Sequence, residues 1–517
     1  MNLMRAITTV GGFTMLSRIL GFIRDIMIAA VLGAGAGADA FFVAFRFPNL
    51  FRRLFAEGAF SAAFVPLFSG VMETEGQAKA KEFSDQAFSV LALILLVFVA
   101  AIEVAMPWAM LILAPGFDQV PGKMELATEL SRITFPYLLF ISLVSLQSGV
   151  LNSLGRFAAA AAAPILLNLT LIASLLVYAP HAETPGHALS WGVAAAGIVQ
   201  FLWLAYHCRQ HGLPVRFTRP RLSERVRLLG RRILPVVFGA SLYQINLLIA
   251  TILASLVSDG AVSYLYYADR VTQLPLGVVG VAVGTALLPL LSRQLKAGEL
   301  AAAEHSQNRG LEFALLLTLP AAVALAVIAG PIISVLFERG AFDAAATAAT
   351  APALVAFAVG LPAYVLIRVL TPGFFAREDT VTPVRIAAGA MIANIALNLI
   401  LMRFWGHVGI ASAASISAWM NAGLLALVLH RRGHLALDQR LAARLPRVVA
   451  ASAAMGLGLW MAQGHFEGWL SGGQTDRIGA LAILVVGGVA VFAAMAQLTG
   501  AARWQELKSL SSRRDAA

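Results

Sequence analysis

Long apolar runs, each bounded by glycine, proline or charge, recur along the whole chain. Fourteen of them reach the roughly 20 residues that an α-helix needs to cross a bilayer: 9–32, 39–69, 84–106, 130–151, 158–179, 188–207, 232–257, 262–291, 312–336, 346–370, 383–402, 407–429, 446–463 and 478–499. The first two carry charges inside the run. Composition agrees with this pattern. Of 517 residues 59% are hydrophobic and only 13% charged, and the mean hydropathy is +0.80. Soluble domains hold about 25% charged residues, so a string of soluble domains is excluded. The expected class is an all-α polytopic membrane protein with about fourteen transmembrane helices. Arg18, Arg24 and Asp25 interrupt what would be the apolar core of a signal peptide, so no cleavage is expected. A single cysteine, Cys208, leaves no intrachain disulfide and no multi-cysteine metal site.

The net charge of +11 could point to nucleic acid, but its placement does not. With the N-terminus in the cytoplasm, inner segments and tails hold 26 Lys and Arg and outer segments five, Lys123, Arg132, Arg339, Arg403 and Arg477. This bias is the positive-inside signal, and it puts both termini in the cytoplasm. Eight arginines cluster between 209 and 232. Topology is the first reading of that loop, and attraction to anionic lipid headgroups the second.

The two parts of the chain echo each other. FVPLFSG (64–70) resembles LLPLLSR (287–293), PWAMLILAPGFD (107–118) resembles PIISVLFERGAFD (331–343), and FPYLLFISLVSLQSGV (135–150) resembles LPAYVLIRVLTPGF (361–374). The matches are ordered, at offsets between 223 and 226. The pattern predicts two six-helix repeats of like orientation, related by a pseudo-twofold axis along the membrane normal, plus two C-terminal helices. The expected organisation is an N-terminal lobe (1–207), a basic cytoplasmic loop (208–231), a C-terminal lobe (232–430), the last two spans (431–502) and a cytoplasmic tail (503–517). Transporters with such repeats bind substrate between the halves; a duplicated scaffold or channel is the alternative.

Seven arginines remain once the inner and outer ones are assigned: Arg18, Arg24, Arg46, Arg52, Arg53, Arg270 and Arg368. An arginine at mid-bilayer costs about 2.5–3.5 kcal/mol on the lenient scale, so it lines a cavity or finds a partner. Arg18 and Asp25, seven residues apart, share a helix face. Asp39, Arg46, Arg53 and Glu57 form a stripe on the second span, perturbed by Pro48. Arg270 sits in the eighth span, the repeat partner of the second. Arg18, Arg24, Arg52 and Arg270 are the candidate anion site, since the guanidinium fork suits phosphate or pyrophosphate. Arg53 and Glu57 are secondary cavity candidates. For Arg46, Arg53 and Arg368 internal ion pairs or snorkelling to an interface is the favoured reading. GAGAGAD (33–39) lacks the company of a nucleotide-binding lysine or strand and reads as a flexible outer turn. The i, i+4 pairs His207/His211 and His430/His434 lack a third ligand, and no metal site is expected. There is no Ser–His–acid set or carboxylate pair, so no enzyme is expected either.

SRILGFIRD (17–25), DAFFVAFRFPNLFRRLFAEGAFSAAFVPLFSG (39–70) and YYADRVTQLPLGVVGVAVGTALLP (266–289) closely resemble the MurJ (MviN) family of bacterial lipid II flippases, within the multidrug/oligosaccharidyl-lipid/polysaccharide exporter superfamily. The similarity covers about residues 1–500. It implies alternating-access movement of undecaprenyl-pyrophosphate-linked peptidoglycan precursor to the outer leaflet of the bacterial cytoplasmic (inner) membrane. It implies cavity arginines at Arg18, Arg24, Arg52 and Arg270, Asp25 paired among them, an important Asp39, and a lipid-tail groove along the last two spans. Implied partners are lipid II, membrane lipids and the cell wall synthesis machinery. One departure stands out. Some members hold sodium with acidic and amide ligands, whereas this chain offers Asn246, Asn394 and Asn398 with no carboxylate. Sodium coupling is therefore not expected, no cofactor is expected, and the membrane potential is left as an energy source. The alternative function is export of drugs or another polyprenyl-linked oligosaccharide.

Overall fold

The described residues of the apolar runs are predominantly helical in a computed structural model of the chain. The structure describes the backbone of 3–55 and 59–502, and the side chains of these except 3–7, 53–55, 59, 234–243 and 278–285. No strand occurs among the described residues; the sole β-type contact is the isolated bridge between Arg339 and Phe342. The chain divides by packing into two units.

Unit 1 comprises residues 1–263 and the short segment Arg339–Phe342. Its helices are α1 (Leu3–Leu32), α2 (Ala36–Phe55), α3 (Ala59–Glu75), α4 (Gln77–Leu113), α5 (Lys123–Thr134), α6 (Tyr137–Ser153), α7 (Phe157–Ala173), α8 (Pro185–Gln210), α9 (Glu224–Ser255) and the first residues of α10 (Ala261–Lys296). Phenylalanines make its core: Phe64 stacks on Phe60, Phe68 and Phe83, and Phe47 meets Phe135 with ring centroids 4.8 Å apart. The outer surface of α4 shows Leu96, Val97, Val104 and Ile112. These cost nothing against lipid tails, which are as apolar as they are.

Unit 2 holds the rest of α10, α11 (Leu300–Val327), α12 (Ala329–Phe337), α13 (Ala344–Phe375), α14 (Val381–Arg431), α15 (Gln439–His465), α16 (Glu467–Leu470) and α17 (Gln474–Thr499). Small residues set its closest packing, as expected where lipid supplies no hydrophobic drive: Ala363, Ala418 and Ala422 form one contact layer. The 51 residues of α14 contain one non-helical residue, Gly406, at φ 55° and ψ −132°. That break lies between the runs 383–402 and 407–429.

Nine helical stretches among the described residues are long and apolar enough to cross a membrane, α14 counted once. The described residues of the runs on α1, α2–α3, α9 and α10 are helical too. The packing boundary falls at 263/264, one helix later than the start of the second sequence repeat, because α9 packs with α2, α3 and α4.

Candidate anion site on the first helices

The guanidinium of Arg24, 6% exposed, is clamped on two sides. Its Nε and Nη2 donate to Oδ1 of Asp25 at 3.0 and 2.7 Å, and its Nη1 donates to Oδ1 of Asn168 on α7 at 2.8 Å. Asn168 is itself oriented, since its Nδ2 donates to the Ser17 carbonyl at 2.9 Å. Gly21 faces the same amide, and a Cβ there would only touch Asn168 Nδ2, at 3.5 Å. Three of the five N–H groups of an arginine are thus used. The ion pair with Asp25 holds the charge in place without covering the whole fork.

Arg18, two turns earlier on α1, is exposed although Asp25 on the same ideal face is buried. It sits about 22 Å along a 30-residue helix. A guanidinium there is stable facing water or an anion and not lipid tails. Arg52 is half-buried on α2, and its Nε donates to Asn49 Oδ1 at 2.9 Å. Arg46 is tied inward: Nη1 donates to Thr251 Oγ1 on α9 at 2.8 Å, so it braces α2 against α9 instead of snorkelling. Arg53 keeps only a described backbone, and Glu57 lies outside the described residues. In unit 2, Arg270 is half-buried with its Cζ 4.7 Å over the Tyr266 ring, and Arg368 is exposed on α13.

Asp39 stands in a different setting from the arginines. It is 0% exposed and accepts from Lys123 Nζ at 2.8 Å, from the backbone N–H of Gly260 and of Ser263 at 2.8 Å each, and from Ser263 Oγ at 2.5 Å. The first N–H groups of α10 thereby point at a carboxylate, the arrangement that a helix N-terminus favours. Lys123, 3% exposed, also pairs with Asp259 at 2.6 Å and lies 4.2 Å from the Phe117 ring centroid. Asp39 thus secures the start of the helix that carries Arg270 seven residues on. Beside it, Gly33 and Gly340 have φ of +68° and +59°, and a Cβ on either would overlap a backbone oxygen, of Ala341 and Ala30 respectively. The glycine-rich turn is packed tightly at Gly33, against the expectation of a flexible one.

Three groups were not legible in the sequence. Asn168 is a lone amide in an apolar helix, and nothing local says what it faces. Lys123 reads as an outer topology charge. Glu312 of α11, nearly buried, takes Arg309, Arg440 and Arg444 around one carboxylate, and Asp438 adds a second pairing to Arg309. The amides of unit 2 pair with one another: Asn398 Nδ2 donates to Asn394 Oδ1 at 2.9 Å and Asn394 Nδ2 to Ser417 Oγ at 3.1 Å.

The family description "Lipid II flippase MurJ" matches residues 28–475. The chain belongs to the MurJ family. A probable lipid II flippase MurJ of Rhizobium tropici is 45% identical over 509 residues, 97% of this chain and 95% of the relative. That of Rhizobium meliloti (strain 1021) is 48% identical over 469 residues, 89% of this chain and 87% of the relative. A lipid II flippase MurJ of Burkholderia cenocepacia is 39% identical over 84% of this chain and 85% of its own length. A solved lipid II flippase MurJ in an inward closed conformation shares the fold at a TM-score of 0.80, with 24% identity, 95% of this chain and 98% of the other covered. An inward-facing MATE transporter of the MOP superfamily shares it at 0.66, with 17% identity and 83% and 98% coverage. MurJ membership fits an all-helical polytopic membrane protein in which five of the seven arginines assigned to the spans sit on the first two helices.

Proposed function

We propose that this protein is a lipid II flippase, moving the polyprenyl-pyrophosphate-linked peptidoglycan precursor to the outer leaflet by alternating access. The observation that carries the reading is the pair of arginines on α1. Arg24 is buried and oriented by Asp25 and Asn168, while Arg18 is exposed near mid-helix, where lipid tails are no partner for it. Fixed guanidinium forks suit a diphosphate, whose oxygens accept them two at a time. Arg18, Arg24, Arg52 and Arg270 bind the pyrophosphate in this account, with Asp25 holding Arg24. Arg53 and Glu57 serve the same cavity. Asp39 contributes by fixing the start of α10. Neutralisation of the arginines by substrate lets the inner side close, and outward opening releases the headgroup.

The bias of Lys and Arg, 26 inside against five outside, supports an inner-membrane location with both termini cytoplasmic. The transport step makes and breaks no covalent bond, so the protein is a carrier and not an enzyme. Sodium is not its coupling ion. The Asn394 oxygen is already engaged, and the unbonded amide oxygens Asn246 Oδ1 and Asn398 Oδ1 are neutral dipoles too weak alone to replace the ion's water. The membrane potential acting on the charged headgroup is the energy source we favour.

The test is complementation of a depletion strain together with transport of fluorescent lipid II in vesicles. Arg24→Ala and Arg270→Ala are each expected to abolish growth support while the protein stays in the membrane. Normal growth with both variants, or equal transport of an unrelated polyprenyl-linked oligosaccharide by the wild type, would sink the assignment.

A further inference from the structure

Away from the arginines, unit 1 brings together three side chains that the transport cycle does not use: Glu129 of α5, Glu183 in the linker before α8, and His187 in the first turn of α8. One ligand atom of each lies within 4.8 Å of the others. His187 is the decisive member. It is 7% exposed, and its Nε2 has no hydrogen-bond partner, yet it points at two carboxylates, 3.4 Å from Glu129 Oε1 and 4.0 Å from Glu183 Oε2.

Its other nitrogen explains the orientation. Nδ1 lies 2.8 Å from Thr184 Oγ1, and the same hydroxyl oxygen, the N-cap of α8, accepts the His187 backbone N–H at 3.3 Å. In the tautomer with the ring proton on Nδ1, the hydroxyl oxygen uses its two lone pairs to accept both N–H groups. Nε2 then offers a lone pair to a pocket already lined by acceptors. In that tautomer three acceptors face one another, and a cation between them satisfies all three. Holding the far nitrogen of a ligating histidine in this way is how proteins fix the tautomer that binds metal.

We propose that Glu129, Glu183 and His187 form a binding site for a divalent transition ion of the zinc class. An imidazole with two carboxylates is an N/O donor set for zinc, whereas calcium and magnesium take oxygen alone. Zinc bond lengths of about 2.0–2.1 Å in tetrahedral geometry set ligand atoms roughly 3.4 Å apart. The His187–Glu129 spacing matches this, and Glu183, whose side chain is 80% exposed, is free to close the remaining gap. Water fills the fourth position. The bound ion staples α5 to the start of α8. Glu129 lies six residues from Lys123 on α5, so the staple also steadies the helix whose lysine holds Asp39. Under the proposed topology this end faces outward, where the ion is taken from outside the cell.

The experiment uses the full-length protein in detergent, stripped with EDTA and titrated with Zn²⁺ by calorimetry and thermal shift. One saturable Zn²⁺ per chain is expected, with a rise in the unfolding temperature. Glu129→Gln and His187→Ala should weaken binding by at least about tenfold, the scale on which even supporting residues of metal sites act. His207→Ala/His211→Ala should leave it unchanged. If His187→Ala does not fold, Glu129→Gln and Glu183→Gln, on exposed carboxylates, carry the comparison. Absence of a saturable site, or wild-type affinity in both glutamine variants, would overturn the proposal. It would leave the flippase reading untouched, since that is read by transport.

Discussion

A buried guanidinium is stable only when its N–H groups are matched, and Arg24 meets that demand with one carboxylate and one amide from another helix. Lysine in its place keeps the charge but loses the planar fork. It cannot serve Asp25, Asn168 and a diphosphate together. Arg24→Lys should therefore weaken lipid II binding by roughly 1–3 kcal/mol, the range for charge-assisted hydrogen bonds, as read by native mass spectrometry on the purified variant. The loss should be smaller for a polyprenyl monophosphate, which presents fewer oxygens. At Asp39 the same logic gives a stability effect. Lys123→Met strands a carboxylate that is 0% exposed, and breaking a buried pair from one side costs about 3–5 kcal/mol. Combining it with Asp39→Asn should restore part of that loss, measured by unfolding in detergent. The Arg24–Asp25 pair was legible because the two are adjacent. Its third member, Asn168, lies 144 positions away, and no periodicity connects one amide to one arginine over that distance.

Helices were legible wherever apolar length decided the matter. Even the break at Gly406 falls between two runs read from the sequence, because a chain that turns between two apolar runs needs a residue tolerating φ 55° and ψ −132°. Gly406→Ala should cost about 1–3 kcal/mol, the cost of a sparsely populated backbone region, visible as a lower unfolding midpoint. The association of α9 with unit 1 was not legible. The sequence repeat records ancestry, whereas packing depends on which faces meet. The turn between α14 and α15 adds a pH dependence. Burial, and then the neighbouring charges of Arg377 and Arg432, hold the His434 imidazole below its ordinary value, with Glu304 opposing them. The unfolded chain therefore binds that proton first, and the stabilising contribution is lost as pH falls through about 6.5. Unfolding midpoints of wild type should drop between about pH 7.5 and 5.5 more than those of His434→Asn.

At the scale of the molecule, the last helices are held on by charge at one end. Glu312 gathers Arg440 and Arg444 from the first turns of α15, while α15 packs along α11 and α17 along α15. If these helices carry the lipid-tail groove, truncation after Asp438 should weaken binding of a long-chain lipid II more than of a short-chain analogue. Equal losses in the two titrations would point to general misfolding.

The segment Arg339–Phe342 belongs by packing to unit 1, although the chain on both sides of it belongs to unit 2. Both flanks are pinned. Glu338 is held by Arg477 at 3.0 Å, and Asp343 caps α13 through the Ala346 N–H at 2.8 Å. On the side of unit 1, the Ala341 N–H donates to the Ala30 carbonyl at 2.8 Å. The Ala341 amide therefore reports whether this segment is seated on unit 1. That proton is a clock: its deuterium uptake, slow while the strap is seated, should quicken with each turnover and count the cycles of transport without a label on the substrate.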